Sequence, residues 1–281
     1  MSEWPALLLI AAGAVLLVGL GWWLLIETEG VYLGRRMVIW LYDLYAGRYD
    51  DIKGFRSDYD HLFLARPIME RIAPVRSPLV LDVASGTGRL PLALLNHAHF
   101  QGRVIAIDLS RGMLAEAAAK IADDRVALLW CPAEALPFCD DAFDVVTCLE
   151  ALEFMTRPSR ALAEMARVLR PGGLLLMTNR IGTRWMPGKT MPGALLAEKL
   201  GAFGIEAVEI DPWQVDYDRV WGRKAGSSSP RLARPLSEIL CCPRCSRSDF
   251  QPEIGSWCCA NCGAAIAVGS EGILELARWF Q

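Results

Sequence analysis

The stretch "PLVLDVASGTGRL" (Pro78–Leu90) constrains the fold more than any other part of the chain. An apolar run that breaks into Gly-x-Gly and resumes with a helical pattern near Arg89 reads as a buried strand, a tight turn and a helix. Four more apolar runs follow. "RVIAID" (Arg103–Asp108) ends on an acid, "RVALLW" (Arg125–Trp130) is the third strand, "AFDVVTCL" (Ala142–Leu149) carries Asp144 near its start, and "GGLLLMTNR" (Gly172–Arg180) is the fifth. Helical stretches alternate with them, "MLAEAAAKIA" and then "SRALAEMARVL", the second stopped by Arg170-Pro171-Gly172-Gly173. Strands alternating with helices predict a parallel, doubly wound α/β sheet.

In such sheets ligands sit beyond the carboxyl ends of the strands, where the strand order reverses. Gly86 and Gly88 let the first turn approach a ligand closely. Asp108 closes the second strand about 20 residues later, where a carboxylate accepts hydrogen bonds from ribose hydroxyls. Gly-x-Gly alone is common in loops; joined to that acid it points to a nucleoside-containing cofactor. A dinucleotide site prefers a third glycine under a pyrophosphate, and "GTGRLP" has none.

The ordered series "LDVASGTG", "AIDLS", "AEALPF", "AFDVVTCLEALEFM" and "RVLRPGGLLLM" resembles the class I S-adenosylmethionine-dependent methyltransferases, in particular the group that includes the quinone-biosynthesis methyltransferases. The resemblance runs from about residue 40, through "YDLYAGRYD", to the "WGRK" near residue 225. It implies a Rossmann-like methyltransferase sheet. It also implies that Asp82, Ser85, Gly86 and Gly88 line the methionine part and the turn beneath it. Asp108 would hold the ribose, with Leu109 and Met113 beside the adenine. Ala133 would offer its backbone N–H to the ring, and Leu149 would sit at the mouth of the fourth strand. The chain departs from the family at Pro132, which stands where an Asp commonly accepts from the adenine amino group. One lost hydrogen bond is worth about 0.5–1.5 kcal/mol, up to about tenfold in affinity. Pro132 is also the main support for a competing reading, a non-catalytic membrane scaffold with a relict cofactor pocket.

A sulfonium methyl is already activated, so its transfer depends on positioning and exclusion of water. A general base is needed only for a hydroxyl or acidic-carbon acceptor. His61 is the candidate base; its alternative is a packed or surface residue. His97 and His99, in "NHAHF", read as structural. Glu150 and Glu153 lie three apart, in a place where some quinone O-methyltransferases carry Glu-x-x-Glu-His, but Phe154 replaces that His. The favoured reading of the two is one solvated acid and one packing acid.

"WPALLLIAAGAVLLVGLGWWLLI" (Trp4–Ile26) carries no charge and exceeds the roughly 20 helical residues that cross a bilayer. It predicts a single-pass membrane anchor, with tryptophans at both interfaces. A cleaved signal peptide fits less well, because no Lys or Arg precedes the run. Arg35, Arg36, Arg48, Lys53 and Arg56 follow it, so the positive-inside rule places the catalytic domain in the cytoplasm. "VYLGRRMVIWLYDLYAGRYDD" mixes aromatics with Arg and reads either as an interfacial helix or as one packed on the main domain.

Six of the nine cysteines fall within the last 41 residues. Cys131, Cys139 and Cys148 read as small core residues. In a reducing compartment two Cys-x-x-Cys knuckles predict structural zinc, held by Cys242, Cys245, Cys259 and Cys262. Cys241 and Cys258 leave a register ambiguity. The tail "LSEILCCPRCS…WCCANCGAAIAVGSEGILEL" resembles short zinc-ribbon proteins, one of which in eukaryotes binds and activates several methyltransferases of RNA and protein. Here Ala265-Ile266-Ala267 stands in place of that group's usual "YPI". The resemblance suggests a built-in partner or stabiliser; a bare structural ribbon is the alternative.

The expected organisation is therefore a transmembrane anchor (1–30), a methyltransferase domain (31–225), a Ser/Pro-containing linker (226–235) and a zinc ribbon (236–281). The expected function is methyl transfer to a lipid-soluble acceptor such as a quinone precursor or lipid. A second enzyme reading has the ribbon adapting an RNA or protein substrate. The net charge of −3 and the lack of a basic tract weigh against nucleic acid.

Overall fold

The structure, a computed structural model, describes residues 4–182 and 186–280. The first three residues of the expected anchor lie outside the described residues. From Trp4 to Trp22 the chain is an α-helix, continued by one wider π turn over Trp23–Glu27. Residues 6–27 are long and apolar enough to cross a membrane, and none of that window is buried in the protein.

The main domain contributes β1 (Leu79–Val83), β2 (Arg103–Asp108), β3 (Val126–Trp130), β4 (Phe143–Cys148), β5 (Leu169–Arg180), β6 (Ile205–Gln214) and β7 (Tyr217–Lys224). The tail contributes β8 (Phe250–Glu253), β9 (Ser256–Cys259), β10 (Ala265–Ala267) and β11 (Leu274–Glu275). One eight-stranded sheet has the order β11-β3-β2-β1-β4-β5-β7-β6, and β10-β9-β8 form a small second sheet. β1 to β5 are parallel, as expected. Two strands beyond these five extend the sheet, and β7 runs antiparallel to both β5 and β6. The two-residue turn between β6 and β7 makes them a hairpin, which only antiparallel strands can share.

β1 is buried along its whole length and pairs with β2 on one side and β4 on the other, so the strand order reverses there. Apolar clusters cover both faces of the sheet. Below the site, Asp144 ties the amino ends of the strands together. Its carboxylate accepts from the Leu79 N–H (2.9 Å), from Arg170 Nε (2.6 Å) and from the Arg231 N–H (2.8 Å). The last bond fixes the 226–235 stretch along the main domain.

The Cys-rich tail is joined to the main domain through its backbone. β11 adds in parallel to the edge strand β3, with Leu274 opposite Leu129 and Glu275 opposite Trp130. Phe138 and Leu240 form an antiparallel bridge, flanked by Cys139 N–H to Ile239 O and Cys241 N–H to Pro137 O. Cys139 and Cys241 form a disulfide across that seam, with their Cα atoms 5.6 Å apart. Cys139 is thus not the small core residue expected; a partner 102 residues away is invisible to a local reading. Cys131 and Cys148 are buried, as expected.

Candidate active site

A cavity opens at the carboxyl ends of β1, β2 and β4, and Gly86, Asp108, Leu109, Ala133 and Leu149 line it. The local backbone explains its shape. Ala84 and Gly86 both take left-handed dihedrals (φ 56° in each), which folds the turn back beneath the cavity. Nothing lies within 4 Å of where a Gly86 side chain would begin, so the turn leaves room for a ligand. Asp108 accepts from the Gly86 N–H and the Ser110 N–H, both at 2.8 Å, which holds its carboxylate at the rim. Burial raises its pKa, and those backbone bonds oppose the rise.

A smaller adjoining cavity shares Ala84, Gly86, Tyr49 and Leu149 and adds Asp82 and Ser85. Asp82 accepts from the Thr147 hydroxyl at 2.7 Å, and burial pushes its carboxyl up to about 7. The Ser85 hydroxyl is buried without a partner. An orphaned hydroxyl, two carboxylates and an open glycine turn fit a cationic, ribose-bearing molecule such as S-adenosylmethionine.

Gly88 and Met113 are not among the residues lining these two cavities. Gly88 lies under the turn; a side chain there would stand 2.7 Å from Ile121 Cδ1, so its glycine serves helix packing. Met113 is completely buried beneath the helix Arg111–Lys120, because that helix turns its apolar face to the sheet. Pro132 is buried and does not line the cavity, whereas Glu134 does, with Oε1 unpartnered.

His61 is also absent from the residues lining the cavity. It stacks on His97 (ring centroids 5.2 Å), which meets His99 edge-on at 5.8 Å. The π turn His61–Ala65 carries it to a separate hollow with Asp58, Thr87 and Arg89. The groups that close over the cavity are instead Arg35, Val38, Tyr42 and Tyr49 of the segment after the apolar helix. Asp43 accepts from the Ser110 hydroxyl (2.6 Å) and the Gly112 N–H (2.9 Å), and Asp50 accepts from Thr87 and Lys120. These bonds clamp the segment as a lid. The aromatic–Arg mixture of residues 31–51 was the available signal for them, but it did not say which side faces the site.

Glu150 and Glu153 part company. Glu150, at a left-handed φ of 52°, pairs with Arg89 at 3.0 Å and Lys53 at 4.0 Å. Glu153 is buried; its Oε1 accepts from the Tyr217 hydroxyl at 2.5 Å and Arg180 Nη1 at 3.2 Å. Neither is the solvated acid expected.

In the tail, one Sγ from each of Cys242, Cys245, Cys259 and Cys262 lies within 4.8 Å of the others. That is the donor set and spacing of a tetrahedral thiolate site, with Cys242 and Cys259 buried and Cys245 and Cys262 half-buried. Cys241 lies against Cys139 at the seam and outside the four-cysteine cluster, which speaks against the competing register.

Residues 81–177 match the protein family described as a methyltransferase domain. The chain is 36% identical over 153 residues to the ubiquinone/menaquinone biosynthesis C-methyltransferase UbiE of Roseobacter denitrificans, covering 53% of this chain and 60% of that protein. It is 41% identical over 107 residues to the demethylmenaquinone methyltransferase of Clavibacter sepedonicus, covering 38% of this chain and 42% of that one. The chain thus spans roughly half the length of the curated relatives it matches. Among solved structures it is similar to a chain of the complex between the Haloferax volcanii Trm112 methyltransferase activator and a methyltransferase (TM-score 0.55, 22% identity, 66% of this chain and 97% of that one). It is similar as well to the [4+2]-cyclase SpnF (TM-score 0.58, 22% identity, 69% and 97%). A cyclase among these neighbours shows that the fold alone does not fix the reaction. The sequence match and the sheet order agree: residues 81–177 are a methyltransferase domain, and the chain around it has the fold of the S-adenosylmethionine-dependent methyltransferases.

Proposed function

We propose that the protein is a membrane-anchored, S-adenosylmethionine-dependent methyltransferase whose acceptor is lipid-soluble, a quinone precursor or a related lipid. The observation that carries this reading is the junction between the apolar helix and the lid. The chain leaves that helix at Glu27 and, eight to fifteen residues on, builds the wall of the cofactor cavity with Arg35, Val38 and Tyr42. Trp23, in the last turn, stacks on Tyr32 at 5.1 Å, so the helix is tied to the lid and not tethered loosely. An active site fixed at the end of a membrane span meets acceptors that reside in the bilayer. The relatives named for quinone biosynthesis point to the same acceptor class.

Asp108 would hold the cofactor ribose, and Asp82, Ser85 and Gly86 its methionine end. The cofactor supplies an electrophilic methyl group. The chain supplies position and dryness: Tyr42 and Tyr49 cover the cavity, and their clamping through Asp43 and Asp50 excludes water. Cys242, Cys245, Cys259 and Cys262 would hold zinc in a structural role, stabilising the tail that completes the sheet edge.

The test is to incubate methyl-labelled S-adenosylmethionine with the full-length protein in its native membranes, with Asp108→Ala as control, and to partition the products. Asp108-dependent label in the organic phase is expected. Label in RNA or protein would overturn the acceptor class and favour the ribbon as substrate adaptor. No label above the control would overturn the enzyme reading.

A further inference from the structure

The helix Arg35–Tyr45 covers the cofactor cavity, and three of its sides are occupied. Arg35, Val38, Ile39 and Tyr42 recur at helical spacing and line the cavity. Asp43 binds Ser110 and Gly112 on a second side. Met37 and Leu41 fill a third against Gly30, where a side chain would begin 3.0 Å from Met37 Cγ and 2.8 Å from Leu41 Cδ1. The fourth side carries Arg36, Trp40 and Leu44, each four residues from the next and so aligned along one face. That face has no cover: Trp40 is 56% and Leu44 59% exposed. Successive helical residues turn by about 100°, which puts this row nearly opposite the row that lines the cavity.

The end of the apolar helix lies beside this face. Past Glu27 the chain folds back, and Gly30 donates its N–H to Leu24 O at 2.9 Å. Trp23 stacks on Tyr32, so Tyr32 stands level with a residue inside the apolar window 6–27. The Tyr42 hydroxyl, midway in sequence between Trp40 and Leu44, donates to Glu29 Oε2 at 2.5 Å. Lys53 Nζ returns to within 3.6 Å of Glu29 Oε1, and its neighbour Ile52 is 62% exposed. Leu33, just before the helix Arg35–Tyr45, is 46% exposed. That helix is thus packed across the end of the apolar helix, not carried away from it, and its open face borders the apolar surface of the span.

We infer that this face is a second membrane-docking surface: the helix Arg35–Tyr45 lies in the headgroup–acyl boundary of the bilayer, with Trp40 and Leu44 among the upper acyl carbons and Arg36 at the lipid phosphates. Tryptophan and leucine in one row with an arginine are the composition of helices that lie in that boundary, their apolar face sunk about 5–10 Å. A second copy of this chain is the competing occupant. The span favours lipid, because it holds this face at the bilayer at all times, whereas another chain must diffuse to it. The helix is then a partition about 10–12 Å thick, with lipid on one side and the cofactor cavity on the other. Its two faces serve two purposes: Val38 and Tyr42 shape the cavity, while Trp40 and Leu44 fix how close that cavity stands to the lipid.

The inference rests on the membrane anchor of the proposed function, and its test separates the two. The full-length protein is placed in nanodiscs of phosphatidylethanolamine and phosphatidylglycerol. The photoreactive residue p-benzoylphenylalanine replaces Trp40, Leu44, Leu17 or Ile254, one position at a time. Leu17 lies in the apolar helix, and Ile254 is fully exposed at the tip of the β8–β9 hairpin. All four side chains are exposed, so none of the replacements disturbs the core. After illumination, lipid adducts are read by mass spectrometry. Positions 40 and 44 are expected to label the glycerol and first acyl carbons, position 17 deeper acyl carbons, and position 254 no lipid. Adducts at 17 without adducts at 40 and 44 would overturn the inference and leave the anchor standing. Adducts at 40 and 44 without one at 17 would keep the docking face and overturn the span. No adduct at any of the three would overturn both. Cross-links from 40 or 44 to a second protein chain would assign the face to a dimer and overturn the inference, as would lipid adducts equally abundant at 254.

Discussion

Leu274 lies opposite Leu129, in parallel register, so the tail of the chain supplies the outermost strand of the methyltransferase sheet. An exposed sheet edge invites wrong pairing, and β11 covers the β3 edge from within the same chain. Leu274 is 5% exposed. Its truncation in Leu274→Ala removes buried contacts worth about 2–5 kcal/mol. The expected result is a fall of roughly 4–20 °C in the melting midpoint of the whole protein by calorimetry, at about 2–4 °C per kcal/mol. A midpoint unchanged within a degree or two would mean that the tail folds apart from the sheet.

The four clustered thiolates should make that support depend on metal. The tail has too little apolar core to order itself without help, and ligand loss in such ribbons unfolds them. Purified protein is expected to carry about one zinc per chain by elemental analysis. Cys259→Ser should lose that zinc and melt lower, by an amount similar to the Leu274→Ala change. Full zinc content in Cys259→Ser would exclude it from the ligand set.

Cys139 and Cys241 give a different kind of prediction. A cytoplasmic disulfide would be reduced by the thiol pool, and the proposed orientation places this pair in the cytoplasm. The seam has other ties in the Phe138–Leu240 bridge and its two flanking backbone bonds. Cys139→Ser with Cys241→Ser is therefore expected to fold, to keep its zinc and to retain methyl transfer. Rapid alkylation of intact cells followed by mass spectrometry should find both thiols reduced. A fully oxidised pair in cells would place the domain on the opposite side of the membrane.

The parts of the site written in contiguous residues were legible before the structure. "LDVASGTG" sets a strand and a turn from local dihedral preferences, and Asp108 follows at a fixed distance, so both fall at the cavity rim. Leu109, Ala133 and Leu149 came from the family resemblance, and each lines the cavity. Met113 fails for a reason of phase: one position on a helix decides between cavity and core, and the short apolar pattern of 113–122 does not say which. His61 fails because a π turn reorients it. The hairpin of β6 and β7 escaped because its strands are part exposed and Ile205–Gln214 carries Pro212 and three acids, which dilute the apolar pattern. β11, the Cys139–Cys241 pair and the Glu153–Tyr217–Arg180 cluster depend on residues that meet only after folding, and no local pattern encodes them.

Asp82 sets the expected pH dependence. Its carboxyl is held near 7 by burial, against about 3.9 in an unfolded chain. Between those values the folded, ligand-free protein keeps a proton that the unfolded chain has released. The contribution of Asp82 to stability is therefore present below about pH 4, declines as pH rises towards 7, and is level above that. A cation entering beside Asp82 prefers the carboxylate, so it must expel that proton at low pH and need not above pH 7. Affinity for S-adenosylmethionine, measured by calorimetry, is expected to rise by up to about tenfold per pH unit below pH 7 and to flatten above it. The neutral-sulfur product S-adenosylhomocysteine should show a weaker slope. Asp82→Asn should flatten both curves while still accepting from Thr147. A slope that survives in Asp82→Asn would assign the titration to another group.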